Sequence, residues 1–295
     1  MKKKPLVLGL MVVALFYFAG AYYLYRKLLF PNLAPRDVLT YIWVVITGFL
    51  LFLAFTLYYL FTFRQQLREE KDRQRKSCTK LQQANEGALK ALIHALDYRD
   101  HDTWDHSRRV AAYATVLAEH MGLPQSELNK IALAGYLHDI GKIGVPDRIL
   151  LKPTKLLPEE WETIKRHPEL GYDIIQQLEF LNTAAEIILL HHERYDGSGY
   201  PLGLKGHKIP LLARIFAVAD ALDAMTSERP YRAARPMTEA FAEIRRLSGV
   251  QFCPQCVKAL EELGVEKLSE IQQSVKKQGM VKLRLEDLVP CSDYL

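Results

Sequence analysis

Two long runs without a charged residue constrain this chain most. Pro5 to Tyr25 covers 21 residues and Val38 to Phe63 covers 26, and neither holds Asp, Glu, Lys or Arg. As helices, both are long enough to cross the hydrocarbon core of a bilayer. Between them lies a short connector, Arg26 to Asp37, with Pro31, Asn32 and Pro35. Lys2, Lys3 and Lys4 precede the first run, and Arg64, Arg68, Lys71, Arg73, Arg75, Lys76 and Lys80 follow the second. Basic residues are denser at the two outer ends than in the connector, which predicts that both ends face the cytoplasm. Ala19-Gly20-Ala21 offers a rival reading of the first run as a cleaved signal, with the second run still an anchor. The connector is too short to be a folded sensor.

Gln65 to Asp100 holds one glycine, Gly87, and no proline. Leu81, Ala84, Ala88, Ala91, Leu92, Ala95 and Leu96 fall close to one helical stripe. This predicts a linker helix over 64–91. The stripe either pairs with its twin in a homodimer or lies on the domain that follows.

From His101 onward the sequence reads as helix after helix, with no long alternation of apolar and polar residues. The pattern predicts helices near 104–121, 126–140, 158–166, 169–178, 183–193, 210–226 and 236–247. Gly122, Gly141, Pro158, Pro168, Gly171, Gly197 and Pro210 punctuate them. The expected fold class is all-α. The expected domains are a membrane anchor over 1–63, the linker over 64–91, a catalytic domain over 92–263 and a tail over 264–295. Disorder is excluded by an apolar content of 49%. A formal net charge of +5 fits lipid headgroups or a phosphate substrate as the anionic partner. Cys78, Cys253, Cys256 and Cys291 do not suggest a disulfide framework.

The chemistry gathers in a few short stretches. His191-His192-Glu193 meets a glycine turn, Asp196-Gly197-Ser198-Gly199-Tyr200-Pro201. Adjacent imidazoles on a helix point about 100° apart, so they rarely share one structural role. His138-Asp139-Ile140-Gly141-Lys142 ends an apolar helix, and burying that polar cluster without a partner is costly. His106 opens a helix whose inner stripe includes Val110, Tyr113, Ala114 and Leu117, where a satisfied core histidine is the plain alternative. His167 follows another helix. Asp220 and Asp223 share a face of an apolar helix, where a solvated face or a salt bridge to Arg214 is the alternative. Together these residues offer too many ligands for one zinc. A mixed imidazole–carboxylate set suits two or more ions of the iron or manganese type, and paired ions suit phosphoester hydrolysis.

This series resembles the HD-GYP family, a branch of the HD phosphohydrolase superfamily, over about Leu92 to Leu260. The matching motifs are Asp105-His106-Ser107 with Arg109-Val110, then Leu137 to Pro146, then Arg166-His167-Pro168-Glu169 with Gly171. His191 to Pro201 follows, and the last block runs from Ile209-Pro210 through Asp220 and Asp223 to Arg229-Pro230-Tyr231-Arg232.

The resemblance implies an HD-type helical bundle. It implies a centre of two or three divalent ions, iron or manganese, held by His106, His138, Asp139, His167, His191, His192 and Asp220. Asp102 stands where three-ion members tend to carry glutamate, and its side chain is one methylene shorter. The implied substrate is cyclic di-GMP, a bacterial second messenger, cut to pGpG and in some members on to GMP. Asp139 and Lys142 are then the catalytic residues, with Lys142 beside the substrate phosphates. Arg229 and Arg232 help to hold the nucleotide, and Gly199-Tyr200-Pro201 shapes the pocket wall. Phe252-Cys253-Pro254 stands where members often carry Phe-Asp-Pro. The implied location is the bacterial inner membrane, with the catalytic domain in the cytoplasm and no nucleic-acid polymer as partner. The rival functions are hydrolysis of another cyclic dinucleotide and a receptor that binds without cutting.

Overall fold

The computed structural model describes residues 4–29, 35–99, 103–228 and 233–278. Among these the chain is helical, with no strand beyond a single bridge between Ser248 and Phe252. It divides into two compact units, Met1–Ser77 and Cys78–Asp293.

In the first unit, α1 (Lys4–Leu29) and the first part of α2 (Pro35–Arg99) pack against each other. A Cβ on Gly9 would lie 2.7 Å from the Phe55 ring, and one on Gly48 would lie 3.0 Å from Phe16. Each helix therefore offers a glycine to a phenylalanine of the other, as small residues do where apolar helices meet closely. Leu15, Trp43, Leu51 and Phe61 are among many large apolar side chains left exposed here. Among the described residues, one helix is long and apolar enough to cross a membrane. It is α2, where the stretch Ile42–Leu96 contains a window of mean hydropathy 2.2. Of the two expected spans, this is the one that the described residues support.

The expected linker helix is continuous with the apolar run before it. α2 runs unbroken for 65 residues. After Pro35 no proline interrupts it, so nothing stops the backbone hydrogen-bond ladder where the side chains change from apolar to charged. Of the expected stripe, Leu96 is buried in the core of the second unit and Leu92 packs against it, whereas Leu81, Ala84, Ala88, Ala91 and Ala95 stay exposed; Leu89 and Ile93, outside that stripe, complete the buried face.

The second unit is built around α3 (Thr103–His120). Its stripe of Val110, Tyr113, Ala114 and Leu117 is buried, as the spacing predicts. It packs against α4 (Gln125–Leu137), α9 (Leu211–Thr226) and α11 (Pro254–Gln278). Ile131, Leu137, Phe216 and Leu222 fill the space between them. Beyond α4 a 3₁₀ turn, Ile140–Gly144, replaces the expected end of the helix. The short α5 (Asp147–Leu150) and α6 (Pro158–Ile164) lead to α7 (His167–Ile175). α7 packs on both the 3₁₀ turn and α8 (Asn182–Leu190), and α10 (Met237–Arg246) packs on α9 and α11.

α11 was not expected, since no helix was read beyond 247. Gly264 has φ 80° and ψ 160°, so the helix kinks there and resumes. Leu268 and Val275 beyond the kink are buried. Cys78 is disulfide-bonded, which the scatter of cysteines gave no reason to expect, while Cys253 and Cys256 are free and buried.

Candidate metal centre

Helix ends converge on one point. His106 lies in the first turns of α3, His138 caps the end of α4, His167 opens α7, and His191 caps the end of α8 with His192 after it. Asp220 comes from the middle of α9. The ligand atoms fall into two clusters, His106–His138–Asp220 and His167–His191–His192, each with its atoms within 4.8 Å of one another.

Asp139 stands between the clusters. Its Oδ2 lies 3.3 Å from His138 Nε2, and its Oδ1 lies 3.5 Å from His167 Nε2. Lys142 Nζ is 2.8 Å from Asp139 Oδ2. Burial alone would raise the Asp139 carboxyl, but Lys142, His138 and His167 outweigh it and hold the group well below its ordinary range. Asp139 is therefore a buried anion with one face toward each cluster.

The imidazoles are fixed in one tautomer by the backbone. The Nδ1 atoms of His138, His167 and His191 donate to the carbonyls of Gly135, Ile164 and Ile188, at 3.1, 2.8 and 2.6 Å. Each acceptor lies three residues earlier, so the helix end itself orients the ring. His106 Nδ1 donates instead to the Asp223 carboxylate at 2.7 Å. All four rings thus turn Nε2 inward, an arrangement typical of metal-ligating histidine.

The inward Nε2 atoms meet in pairs, His106 with His138 and His167 with His191, each at 3.3 Å. Facing lone pairs repel unless a cation sits beside them. Burial pushes His167 and His191 down, and pushes His192 down to about 4, so these rings stay neutral. Burial also disfavours a charge on His138, but Asp139 outweighs it and raises that ring. Three neutral imidazoles beside a buried carboxylate are a donor set for divalent metal. The residues present fit a metal centre.

Three supporting groups were not assigned as site residues from the sequence. Asp223 is fully buried, and besides His106 it takes Arg109 Nε at 2.6 Å and Arg109 Nη2 at 3.1 Å. It supports a ligand and is not one itself. Its position three residues after Asp220 on an apolar helix was the available signal. Glu193, also buried, accepts the Leu202 and Leu204 amides at 2.7 and 3.0 Å and so anchors the chain after the Gly-Tyr-Pro turn. The Tyr195 and Asp196 amides donate to Gln251 and Val250, which fixes the near side of the same loop.

That loop closes one wall. The Tyr200–Pro201 peptide is cis, and the Tyr200 ring packs on His192 with centroids 4.8 Å apart. A Cβ on Gly199 would lie 2.2 Å from the Arg194 amide nitrogen, so the chain can fold back here only with glycine. Beside the clusters opens a cavity of about 440 Å³. His192, Tyr200 and Asp220 line its metal side, and Arg194, Arg235, Glu243 and Gln251 are among the residues that line the rest. The two arginines were not foreseen, and nothing in their local sequence marks them.

Each expected ligand except Asp102 therefore meets at one place. Asp102, Arg229 and Arg232 lie outside the described residues. Tyr200 lines the cavity, Gly199 permits the fold of its wall, and Pro201 follows in the same turn. Lys142 sits against Asp139.

A helical bundle whose helix ends bring together one imidazole–carboxylate cluster and one all-imidazole cluster defines a metal-binding domain. The chain belongs to the HD domain family, whose model matches residues 90–255. The resemblance to HD-GYP proteins drawn from the motifs stands with it. A cyclic di-GMP phosphodiesterase of Thermotoga maritima is 48% identical over 60% of this chain and 49% of its own length. The cyclic di-GMP phosphodiesterase response regulator RpfG of Xanthomonas campestris is 45% identical over 62% of this chain and 49% of its own. A 3′3′-cGAMP-specific phosphodiesterase of Vibrio cholerae is 39% identical over 58% of this chain and 33% of its own. The chain thus matches half or less of the length of these relatives.

Proposed function

We propose that this chain is a membrane-anchored, metal-dependent phosphodiesterase that hydrolyses cyclic di-GMP to linear pGpG, with GMP as the product of a second cut. The observation that carries this reading is Asp139, whose two oxygens face one histidine of each cluster. His106, His138 and Asp220 would hold one divalent ion and His167, His191 and His192 another, of iron or manganese, with Asp139 between them. A third ion would call on Asp102. Such ions supply Lewis acidity toward water and phosphate oxygen.

The protein's own groups prepare the rest. Lys142 keeps Asp139 ionised and brings a compact cation to the place where a phosphodiester would lie. Arg235 puts a planar donor fork in the cavity wall, suited to phosphate or to guanine edges, while the Arg194 fork is held at the same wall by Ser198 and Gln251. Arg229 and Arg232 are proposed to complete that set. The cavity volume falls within the roughly 300–1,000 Å³ range of small-molecule sites.

The exposed apolar side chains of the first unit support insertion in the bacterial inner membrane, with α1 as a second span and the catalytic domain in the cytoplasm. The exposed Leu81, Ala84, Ala88, Ala91 and Ala95 stripe supports a homodimer along α2.

The relative named as 3′3′-cGAMP-specific favours a second reading, hydrolysis of that dinucleotide. A turnover panel with purified protein and Mn²⁺ separates the two. Faster cleavage of cyclic di-GMP than of 3′3′-cGAMP is expected. The reverse order would transfer the assignment, and tight binding without product would mark a receptor.

A further inference from the structure

Arg99 is the last residue of α2, and all its donors go to one short segment. Nη1 donates to the Ile143 carbonyl and Nη2 to the Val145 carbonyl. Nε and Nη2 also reach Asp147 Oδ1, at 3.1 and 2.7 Å. Ile143 follows Lys142 directly, and Asp139 lies four residues before it. The turn closes on itself through the Lys142 amide to the Asp139 carbonyl at 2.9 Å and the Val145 amide to the Lys142 carbonyl at 3.0 Å.

The opposite side of this turn is set by contact. A Cβ on Gly141 would lie 1.8 Å from the His167 carbonyl oxygen, so the turn presses against the start of α7 with no slack. Arg99 holds the turn from the other direction. Its own backbone is fixed because Leu89, Ile93 and Leu96 of the same helix are buried in the core.

We infer that Arg99 is a positioning residue, which clasps Ile143–Asp147 and so sets where Asp139 and Lys142 stand; this rests on the metal-centre reading given above. A guanidinium is suited to the task because its flat fork serves two carbonyls and a carboxylate together. A lysine there has a single charge centre and cannot span all three. Because α2 ends in this clasp, a slide or rotation of its last turn changes the centre without touching a ligand. The last turn of α2 is thus a route by which an input on that helix reaches the metal site.

The test uses the full chain in detergent, with Mn²⁺ as the probe. Free Mn²⁺ is counted by electron paramagnetic resonance, and amide exchange is followed over residues 139–147. Arg99→Ala is expected to weaken Mn²⁺ binding about 10–100-fold, as losing a group that supports ligands does. Exchange over 139–147 rises while exchange in α9 stays unchanged. Arg99→Lys recovers part of the loss. Asp147→Ala leaves the carbonyl contacts in place and gives a smaller change in the same direction. Wild-type affinity and wild-type exchange in Arg99→Ala would overturn the inference. Should that variant fail to fold, wild-type exchange in both Arg99→Lys and Asp147→Ala overturns it instead. A wild-type protein that binds Mn²⁺ yet cleaves no cyclic dinucleotide removes the proposed activity and leaves this inference to be decided by the exchange data.

Discussion

His106 Nδ1 donates to Asp223 Oδ2 across 2.7 Å, and Arg109 Nε meets the other oxygen of the same carboxylate at 2.6 Å. Burial would raise the Asp223 carboxyl, but His106 and Arg109 outweigh it and lower it. The carboxylate therefore fixes the tautomer of a proposed ligand while neutralising a buried arginine. Asp223→Asn keeps the shape and loses the charge. Its Mn²⁺ affinity is expected to fall about 10–100-fold in a direct titration. Asp223→Ala also strands Arg109, and should cost about 3–5 kcal/mol in chemical denaturation.

Glu193 is a separate lever on the pocket wall. It contacts the loop through the Leu202 and Leu204 amides, so Glu193→Ala leaves two donors without their partner. A stability loss of about 2–3 kcal/mol is expected. KM should rise because Tyr200 loses its support, while Mn²⁺ affinity stays near wild type. Steady-state kinetics with a metal titration checks the split. A metal affinity that falls in step with the KM effect would contradict it.

Gly141 tests how tightly the Asp139 turn is seated. An alanine there cannot be accommodated by rotating a side chain, because its methyl would meet the His167 backbone. Gly141→Ala is expected to push the turn off α7, separate Asp139 from His167 and abolish detectable Mn²⁺ binding. Loss of stability should be about 1–3 kcal/mol or more, the range for overpacking. Melting and metal titration on the same sample check both.

Cys253 explains what stands in place of the family's aspartate. Its carbonyl accepts the Val257 amide at 3.0 Å, so it is the cap of α11, and Arg214 Nη1 donates to its Sγ at 3.1 Å. The Cys256 thiol lowers it most, and against burial the Cys256 and Gln255 amides and Arg214 help bring it down to about 5 from 9.0. The folded value is the lower one. Its contribution to stability is therefore full above about pH 9, shrinks as pH falls, and is gone below about 5. The stability difference between wild type and Cys253→Ser should accordingly grow from pH 5 to pH 9. Cys253→Asp should move the loss to more acidic pH. Denaturation curves across that range decide the matter, and a flat difference would contradict it.

The parts of this protein that were legible in its sequence are local ones. His138-Asp139 and His191-His192 are adjacent in the chain, and the helix ends that aim them are marked by nearby glycines. The stripe of α3 was readable because one face of one helix is buried. Groups that act across long separations were not readable. Arg99 meets Asp147, and Arg109 meets Asp223, only after the bundle has closed. Arg235 reaches the cavity for the same reason. α2 changes composition near Arg64 yet stays one helix, because backbone hydrogen bonding does not depend on whether the side chains are apolar or charged. The part of α11 beyond the Gly264 kink is held by the burial of Leu268 and Val275, contacts that likewise form only after the bundle has closed.

Asp139 and the two histidine clusters are proposed to form a metal centre that cleaves a cyclic dinucleotide. Its most direct test is turnover of cyclic di-GMP by the purified chain with Mn²⁺ or Fe²⁺, alongside the double variant His138→Ala and Asp139→Ala. The expected result is pGpG formation that chelation stops and metal restores, with none from the folded double variant. Undiminished turnover in that variant, or no product from a wild-type chain with its metal bound, would contradict the account.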